Sequence, residues 1–195
     1  MKIQHAHVYV SKRGKPDMTP DEATVRDVSH AIKVDNPQAC KIAAIAMAGK
    51  IRRHRHCLLV PVPDSQGCTT KNLRLSRAIQ ALAPSAKMLD MLHGAPRESQ
   101  CQRDREGRHR FTADQIPVKA RSVKVPAGYE KVMVYLVDNV CCTGATLEAG
   151  RRAVATVLQN EIRGLVYART RTEQMNLLHS GNDTISTLPG PIIVS

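Results

Sequence analysis

Residues 131 to 152 read Lys-Val-Met-Val-Tyr-Leu-Val-Asp-Asn-Val-Cys-Cys-Thr-Gly-Ala-Thr-Leu-Glu-Ala-Gly-Arg-Arg, and the middle of that stretch gathers side chains able to do chemistry. Asp138 offers a carboxylate and Asn139 an amide. Cys142, Thr143, Gly144, Ala145 and Thr146 follow as a turn of small residues carrying two hydroxyls and a thiol. A helix that starts from such a turn presents unpaired backbone N–H groups and a partial positive charge, and Gly144 lets the main chain approach a guest closely. A phosphate suits that place. The Asp138 carboxylate would repel a phosphate at the same point, so its natural partner is a neutral donor a short distance away, such as a sugar hydroxyl. Phosphate and polyol together suggest a ribose 5-phosphate.

These groups need a strand before them and a helix after them. Val132 to Val137 is a nearly unbroken β-branched and apolar run, as expected of a strand buried on both faces in a parallel sheet. Asp138 and Asn139 then fall at its carboxyl end, where open α/β sheets bind their ligands. Beyond the turn, Leu147, Gly150, Val154 and Val157 or Leu158 recur at helical spacing and predict one face laid on the sheet. The amino terminus of that helix points back at the polar residues.

With strand, turn and helix in place, Val-Asp-Asn-Val-Cys-Cys-Thr-Gly-Ala-Thr resembles the phosphoribosyl pyrophosphate motif of the type I phosphoribosyltransferases. That motif runs as a hydrophobic strand, two acidic residues, two hydrophobic or small residues, then Thr-Thr-Gly-x-Thr or similar. The chain departs from it at Asn139, which stands at the second acidic position and removes a negative charge, and at Cys142, which replaces the first hydroxyl of the loop. The resemblance implies a type I phosphoribosyltransferase-like α/β fold, with a central, mainly parallel sheet flanked by helices, a flexible loop and a small hood. It implies that Asp138 and Asn139 hold the ribose hydroxyls and that Cys142, Thr143, Gly144, Ala145 and Thr146 hold the 5-phosphate. The loop after the first core strand, here Val62, Pro63, Asp64, Ser65, Gln66 and Gly67, would receive the pyrophosphate. An arginine of the flexible loop would neutralise the departing diphosphate, with Arg103 and Arg105 as the candidates beside Asp138 for catalysis. Mg²⁺ would enter bound to phosphoribosyl pyrophosphate, and no protein side chain is assigned to it. The implied reaction moves a ribose 5-phosphate to a nitrogenous acceptor such as a nucleobase and releases pyrophosphate. Within the family, Leu-Val-Pro-Val-Pro at residues 59 to 63 and the later arginine-rich segment most resemble the ComF-type, competence-associated branch, whose zinc-binding amino-terminal module is not evident.

The remaining chain reads as one domain over 1–195, with a peripheral amino-terminal part (1–56), a core (57–168) and a carboxyl-terminal hood or tail (169–195). Ile3 to Val10 alternates as a peripheral strand. Thr19-Pro20-Asp21-Glu22 forms a capping box ahead of a helix with Val25, Val28 and Ile32 on its apolar stripe. Asn36-Pro37 opens a second helix whose face includes Ile42 and Ile45, with Gly49 as its stop. Cys57 to Val62 is the first core strand. Thr69 or Thr70 caps a helix carrying Leu75, Ile79 and Leu82, which ends at Pro84. Lys87 to Leu92 reads as the next strand, and residues 93 to 110, with Arg97, Arg103, Arg105, Arg108 and Arg110, as a mobile excursion over the carboxyl edge of the sheet. Phe111 to Val125 resembles a hairpin rising from that loop. Gly164 to Ala168 is a last short strand, with Arg169, Thr170 and Arg171 at its ligand end.

Lys and Arg number 29 against 17 Asp and Glu, a net charge of +12, with a pI near 9.8. Such an excess calls for an anionic partner, either a phosphate-rich small molecule or nucleic acid. Aromatic residues make up only 3%, so a stacking platform for single strands is poorly supplied. A second reading is a non-catalytic phosphoribosyltransferase-like protein that binds nucleic acid through phosphates, with the run Lys50 to His56 as its densest charge; the ComF-type resemblance implies that such a role would lie in DNA uptake, processing or regulation. A third is a nucleotide-binding structural subunit. No run approaches a membrane span and no signal-peptide core opens the chain, which predicts a cytoplasmic protein. The six cysteines lack a Cys-x-x-Cys and read as reduced thiols. A zinc site drawing on His54, His56 and Cys57 fits no finger spacing. Cys141 and Cys142, at a helix amino terminus, suggest a redox-sensitive loop, and a homodimer is compatible with a fold of this kind.

Overall fold

A computed structural model describes residues 1–10, 17–51 and 56–170. Arg52 to Arg55 of the basic run, His54 of the zinc alternative, Arg171 and most of the expected hood therefore lie outside the described residues. The elements run β1 (Ile3–Tyr9), α1 (Pro20–Lys33), α2 (Pro37–Ala48), β2 (Cys57–Pro61), α3 (Thr70–Leu82), β3 (Ala86–Met88), β4 (Leu92–Gly94), α4 (Gln100–Arg105), β5 (Val118–Ala120), β6 (Met133–Cys141), α5 (Ala145–Ala155) and β7 (Ile162–Thr170). No helix among the described residues is long and apolar enough to cross a membrane.

Five strands form one parallel sheet in the order β1-β7-β6-β2-β3, and β4 pairs with β5 in a small antiparallel sheet. All five residues of β2 and Val134 to Val137 of β6 are buried, which is why their sequences show no polar alternation. From β2 the chain crosses through α3 to β3 on one side. From β6 it crosses through α5 to β7 on the other. Right-handed crossovers running in opposite directions put their helices on opposite faces. Accordingly α1, α2 and α3 pack with Leu59, Tyr135 and Val137, while Leu147 and Val154 of α5 pack with Val60 and Leu136. The direction of winding reverses between β2 and β6, so the crevice beyond their carboxyl ends is the switch point of the sheet.

Register decides what projects into that crevice. Pro61, the last residue of β2, pairs with Val137, and the Val62 N–H donates to the Val137 carbonyl at 3.0 Å. Asp138 is thus the first residue of β6 past the end of β2. The strand is longer than the apolar run predicts, because β7 keeps pairing with Asp138, Val140 and Cys141 after β2 has stopped.

The capping box of α1 is present in both directions, with Thr19 Oγ1 accepting from the Glu22 N–H and Glu22 accepting from the Thr19 N–H. Val25, Val28 and Ile32 are buried as predicted. The face of α2 is not the predicted one. Ala39, Cys40, Ala43, Ala44 and Met47 are buried, whereas Ile42 and Ile45 are 40% and 44% exposed. The helix is apolar nearly all round, so periodicity could not choose a side; the alanines go inward because they allow close approach to α3 and the sheet. Leu82 of α3 and Val157 past α5 are likewise exposed, and Leu158 takes the packing place. Lys87 to Leu92 is not one strand: β3 ends at Met88, and Asp90 in the break accepts from Thr69 Oγ1 and Arg121. The predicted hairpin over Phe111 to Val125 is instead β5 pairing back to β4, so that residues 95–117 form one long excursion.

That excursion is pinned to the loop after β2. The Gly94 N–H donates to the Gly67 carbonyl at 3.1 Å and the Arg97 N–H to the Ser65 carbonyl at 2.7 Å. Gly67 has φ +78°, and a Cβ there would lie 2.3 Å from the Gly94 carbonyl oxygen. Gly67→Ala is expected to cost roughly 2–4 kcal/mol in urea denaturation, through backbone strain and loss of this contact. A cost below about 0.5 kcal/mol, the scale of an ordinary surface change, would show that the two loops are not held together.

Candidate functional site

Asp138 is half-buried. Its Oδ1 accepts from the Asn139 N–H at 2.8 Å and from Asn72 Nδ2 of α3 at 3.1 Å. Burial pushes its carboxyl up to about 6, offset in part by those two hydrogen bonds and by the positive charges of Lys33 and Arg97. Asn139 turns toward α1. It is 6% exposed, its Nδ2 donates to the Ser29 carbonyl of α1 at 2.8 Å, and its Oδ1 has no partner among the described residues. Asn139 thus fastens α1 to the sheet, a use the sequence did not suggest.

After β6 the chain turns at Gly144, with φ +84°, and enters α5 with no side-chain cap. The Thr143 hydroxyl accepts from the Ala145 N–H at 3.3 Å. Cys142 Sγ accepts from the Thr170 hydroxyl at 3.3 Å, which ties the turn to the end of β7. Cys141 is buried and its thiol is pushed up to about 12, because burial outweighs any lowering at a helix start. That is the reverse of the reactive thiol expected of it. The described cysteines Cys40, Cys57, Cys68, Cys141 and Cys142 are all free.

A cleft of about 550 Å³ opens at this edge. It is lined by Asp138, Asn139 and Cys142, Thr143, Gly144, Ala145 and Thr146, together with Pro63, Asp64 and Ser65 from the loop after β2. The two loops singled out from sequence, more than 70 residues apart, therefore meet in one place. Val62, Gln66 and Gly67 do not line it. Val62 is buried and its carbonyl accepts from Asn72 Nδ2 at 2.8 Å. Asp64 holds its own loop, with Oδ1 accepting from the Gln66 and Cys68 N–H groups and Oδ2 3.4 Å from Lys71 Nζ.

Residues 93 to 110 do pass over the carboxyl edge, but most of their arginines are engaged within the loop. Arg103 pairs with Glu98, donates to the His109 carbonyl at 2.6 Å and lies 4.2 Å from the centre of the Phe111 ring. Arg108 pairs with Glu98 and Glu106, and Arg110 with Asp104. Arg105 lines the cleft, whereas Arg103 does not. The arginine sequence reasoning passed over is Arg97. It lines the cleft, donates from Nη2 to the Thr146 hydroxyl at 3.4 Å and feels the negative charges of Asp138 and Asp64. His30 and Lys33 of α1 were also missed on this wall. Neither Lys33 nor Arg105 has a carboxylate partner among the described residues, so the cleft keeps uncompensated positive charge.

A second cavity of about 550 Å³ lies at the opposite, amino end of the sheet, lined by Cys57, Met133, Glu161 and Arg163 among others. None of the residues from the two loops reaches it. Among the described residues no cluster of three His, Cys, Asp or Glu side chains could hold a metal ion. No family model and no curated protein matches the sequence.

Proposed function

We propose that this chain is a phosphoribosyltransferase that takes phosphoribosyl pyrophosphate with Mg²⁺ and transfers the ribose 5-phosphate to a nitrogenous acceptor, such as a nucleobase. The reading rests on one observation: at the switch point of a parallel sheet, a half-buried carboxylate, a helix amino terminus and a second polar loop share one cleft. The 5-phosphate sits on the turn from Cys142 to Thr146, against the free N–H groups of α5. The ribose hydroxyls reach Asp138. The diphosphate lies toward Pro63, Asp64 and Ser65, where Arg97 and Arg105 stand.

Substitution at the anomeric carbon builds positive charge on the sugar and negative charge on the diphosphate. A carboxylate held beside the sugar and arginines held beside the leaving group are each stronger in the transition state than before it, which is the condition for catalysis. The residues present fit Mg²⁺ of the kind carried in by a substrate. Among the described residues the cleft provides single carboxylates and no cluster of three ligands, so diphosphate oxygens would supply much of the coordination of such an ion. Bound there, it would neutralise the diphosphate.

The nucleic-acid reading has less support. It rests on the net charge of +12, the run Lys50 to His56 and the loss of an acidic residue at Asn139; Arg52 to Arg55 of that run lie outside the described residues, and the loop arginines Arg103, Arg108 and Arg110 are paired with carboxylates. The test is release of pyrophosphate from phosphoribosyl pyrophosphate and Mg²⁺ across a panel of nucleobases, with Arg97→Met in parallel. Turnover should fall by roughly 10–100-fold in the variant, as for loss of a charged hydrogen-bonding partner. Wild-type protein that is folded and inert with every acceptor contradicts the transferase reading.

A further inference from the structure

Asn72 is a polar residue on the buried stripe of α3, 5% exposed, three positions before Leu75. Its Nδ2 reaches two acceptors that lie far apart in sequence: the Val62 carbonyl at 2.8 Å, at the root of the loop after β2, and Asp138 Oδ1 at 3.1 Å. Asp138 Oδ1 also takes the Asn139 N–H, so this oxygen is fully engaged by protein. Oδ2 makes no hydrogen bond within the described residues. It is the oxygen left for a guest in the cleft.

We propose that Asn72 is a positioning residue: its single amide nitrogen turns the Asp138 carboxylate so that Oδ2 faces the cleft, keeps that carboxylate charged, and locks it to the loop that follows β2. The role in ribose binding rests on the function proposed above. A donor to a carboxylate favours the ionised form, whereas burial of the same group favours the neutral one. Other groups facing Asp138 are Lys33 from α1, Arg97 from the long excursion with Asp64 beyond it, and the neutral Cys141 thiol on β6. The two cations are separate side chains on other elements, and Lys33 is exposed, so neither replaces a direct hydrogen bond. Without Asn72 the carboxyl would be protonated over a larger part of the neutral range and unable to accept from a sugar hydroxyl.

The test is an NMR titration of the Asp138 carboxyl in wild type and in Asn72→Ala. Its midpoint should rise by about one to two pH units in the variant, the value of one hydrogen bond to a charged group. The pH profile of Mg²⁺–phosphoribosyl pyrophosphate binding should move by the same amount. Because a buried asparagine can be needed for folding, the wild-type protein provides a second measurement. The Asn72 side-chain amide resonances should titrate with the midpoint of Asp138. An unchanged carboxyl midpoint in a folded variant, or Asn72 resonances that ignore the Asp138 titration, overturns the proposal. A wild type that shows the coupling yet binds no phosphoribosyl pyrophosphate supports the Asn72–Asp138 clamp and overturns the ribose reading alone.

Discussion

Asp138→Asn should make the protein more stable at pH 7.5 while abolishing turnover. Burial raises this carboxyl to about 6, against about 3.9 in an unfolded chain. Between those values the folded protein binds more protons than the unfolded one, so this group lowers stability progressively as pH rises from about 4 to 6. Below about 4 both forms are protonated and the cost vanishes; above about 6 it is complete. At about 1.4 kcal/mol per unit, the full cost is about 2–3 kcal/mol. Asparagine keeps an oxygen to accept from Asn72 and from the Asn139 N–H, so the variant loses the charge without losing either bond. Urea denaturation should therefore show a gain of about 2 kcal/mol at pH 7.5 that shrinks toward zero near pH 4. A variant less stable than wild type at pH 7.5 would mean that the carboxylate is stabilising and not strained by burial. On the proposed function, the gain in stability and the loss of activity would have one cause, a charge kept in a place where folding alone disfavours it.

Asn139→Asp should do the opposite, although it restores the acidic pair of the family motif the sequence resembles. Residue 139 is 6% exposed, and its Nδ2 donates to the Ser29 carbonyl at 2.8 Å. A carboxylate there would face that carbonyl with no proton to give, in a nearly dry position one residue from Asp138. An uncompensated buried charge of this kind costs roughly 3–5 kcal/mol. The introduced carboxyl would be raised, so the damage should be full above its folded pKa and recover as pH falls toward about 4, where a protonated acid can again donate to Ser29. Thermal melts at pH 5 and pH 8 read this directly. A variant as stable as wild type at pH 8 would show that Asn139 is not fastening α1 to β6.

The parts of the site that were legible in the sequence are local. An apolar run followed by Asp138, a small-residue turn and a helical stripe declares strand, loop and helix within some 25 residues. Pro61 to Gly67 declares a turn at the end of another buried strand. What the sequence could not give was set by distant partners. Arg97 faces the cleft because the Gly94 N–H bonds Gly67 and β4 pairs with β5 across the whole excursion. Arg103, equally charged and closer to the middle of the loop, is taken by Glu98 and Phe111. Asn72 and Asp138 are 66 positions apart, and nothing in either neighbourhood announces the other. The buried face of α2 was misread because an alanine-rich helix packs by closeness of approach, which hydrophobic periodicity does not record.

The proposed function requires the cleft at the carboxyl end of β6 to hold a phosphoribosyl group through Asp138. Calorimetric titration of the purified protein with phosphoribosyl pyrophosphate and Mg²⁺, with Asp138→Ala in parallel, tests it most directly. Saturable one-site binding to wild type is expected, with none to a variant that retains the wild-type circular dichroism spectrum. Equal binding to both proteins, or none to a folded wild type, would contradict it.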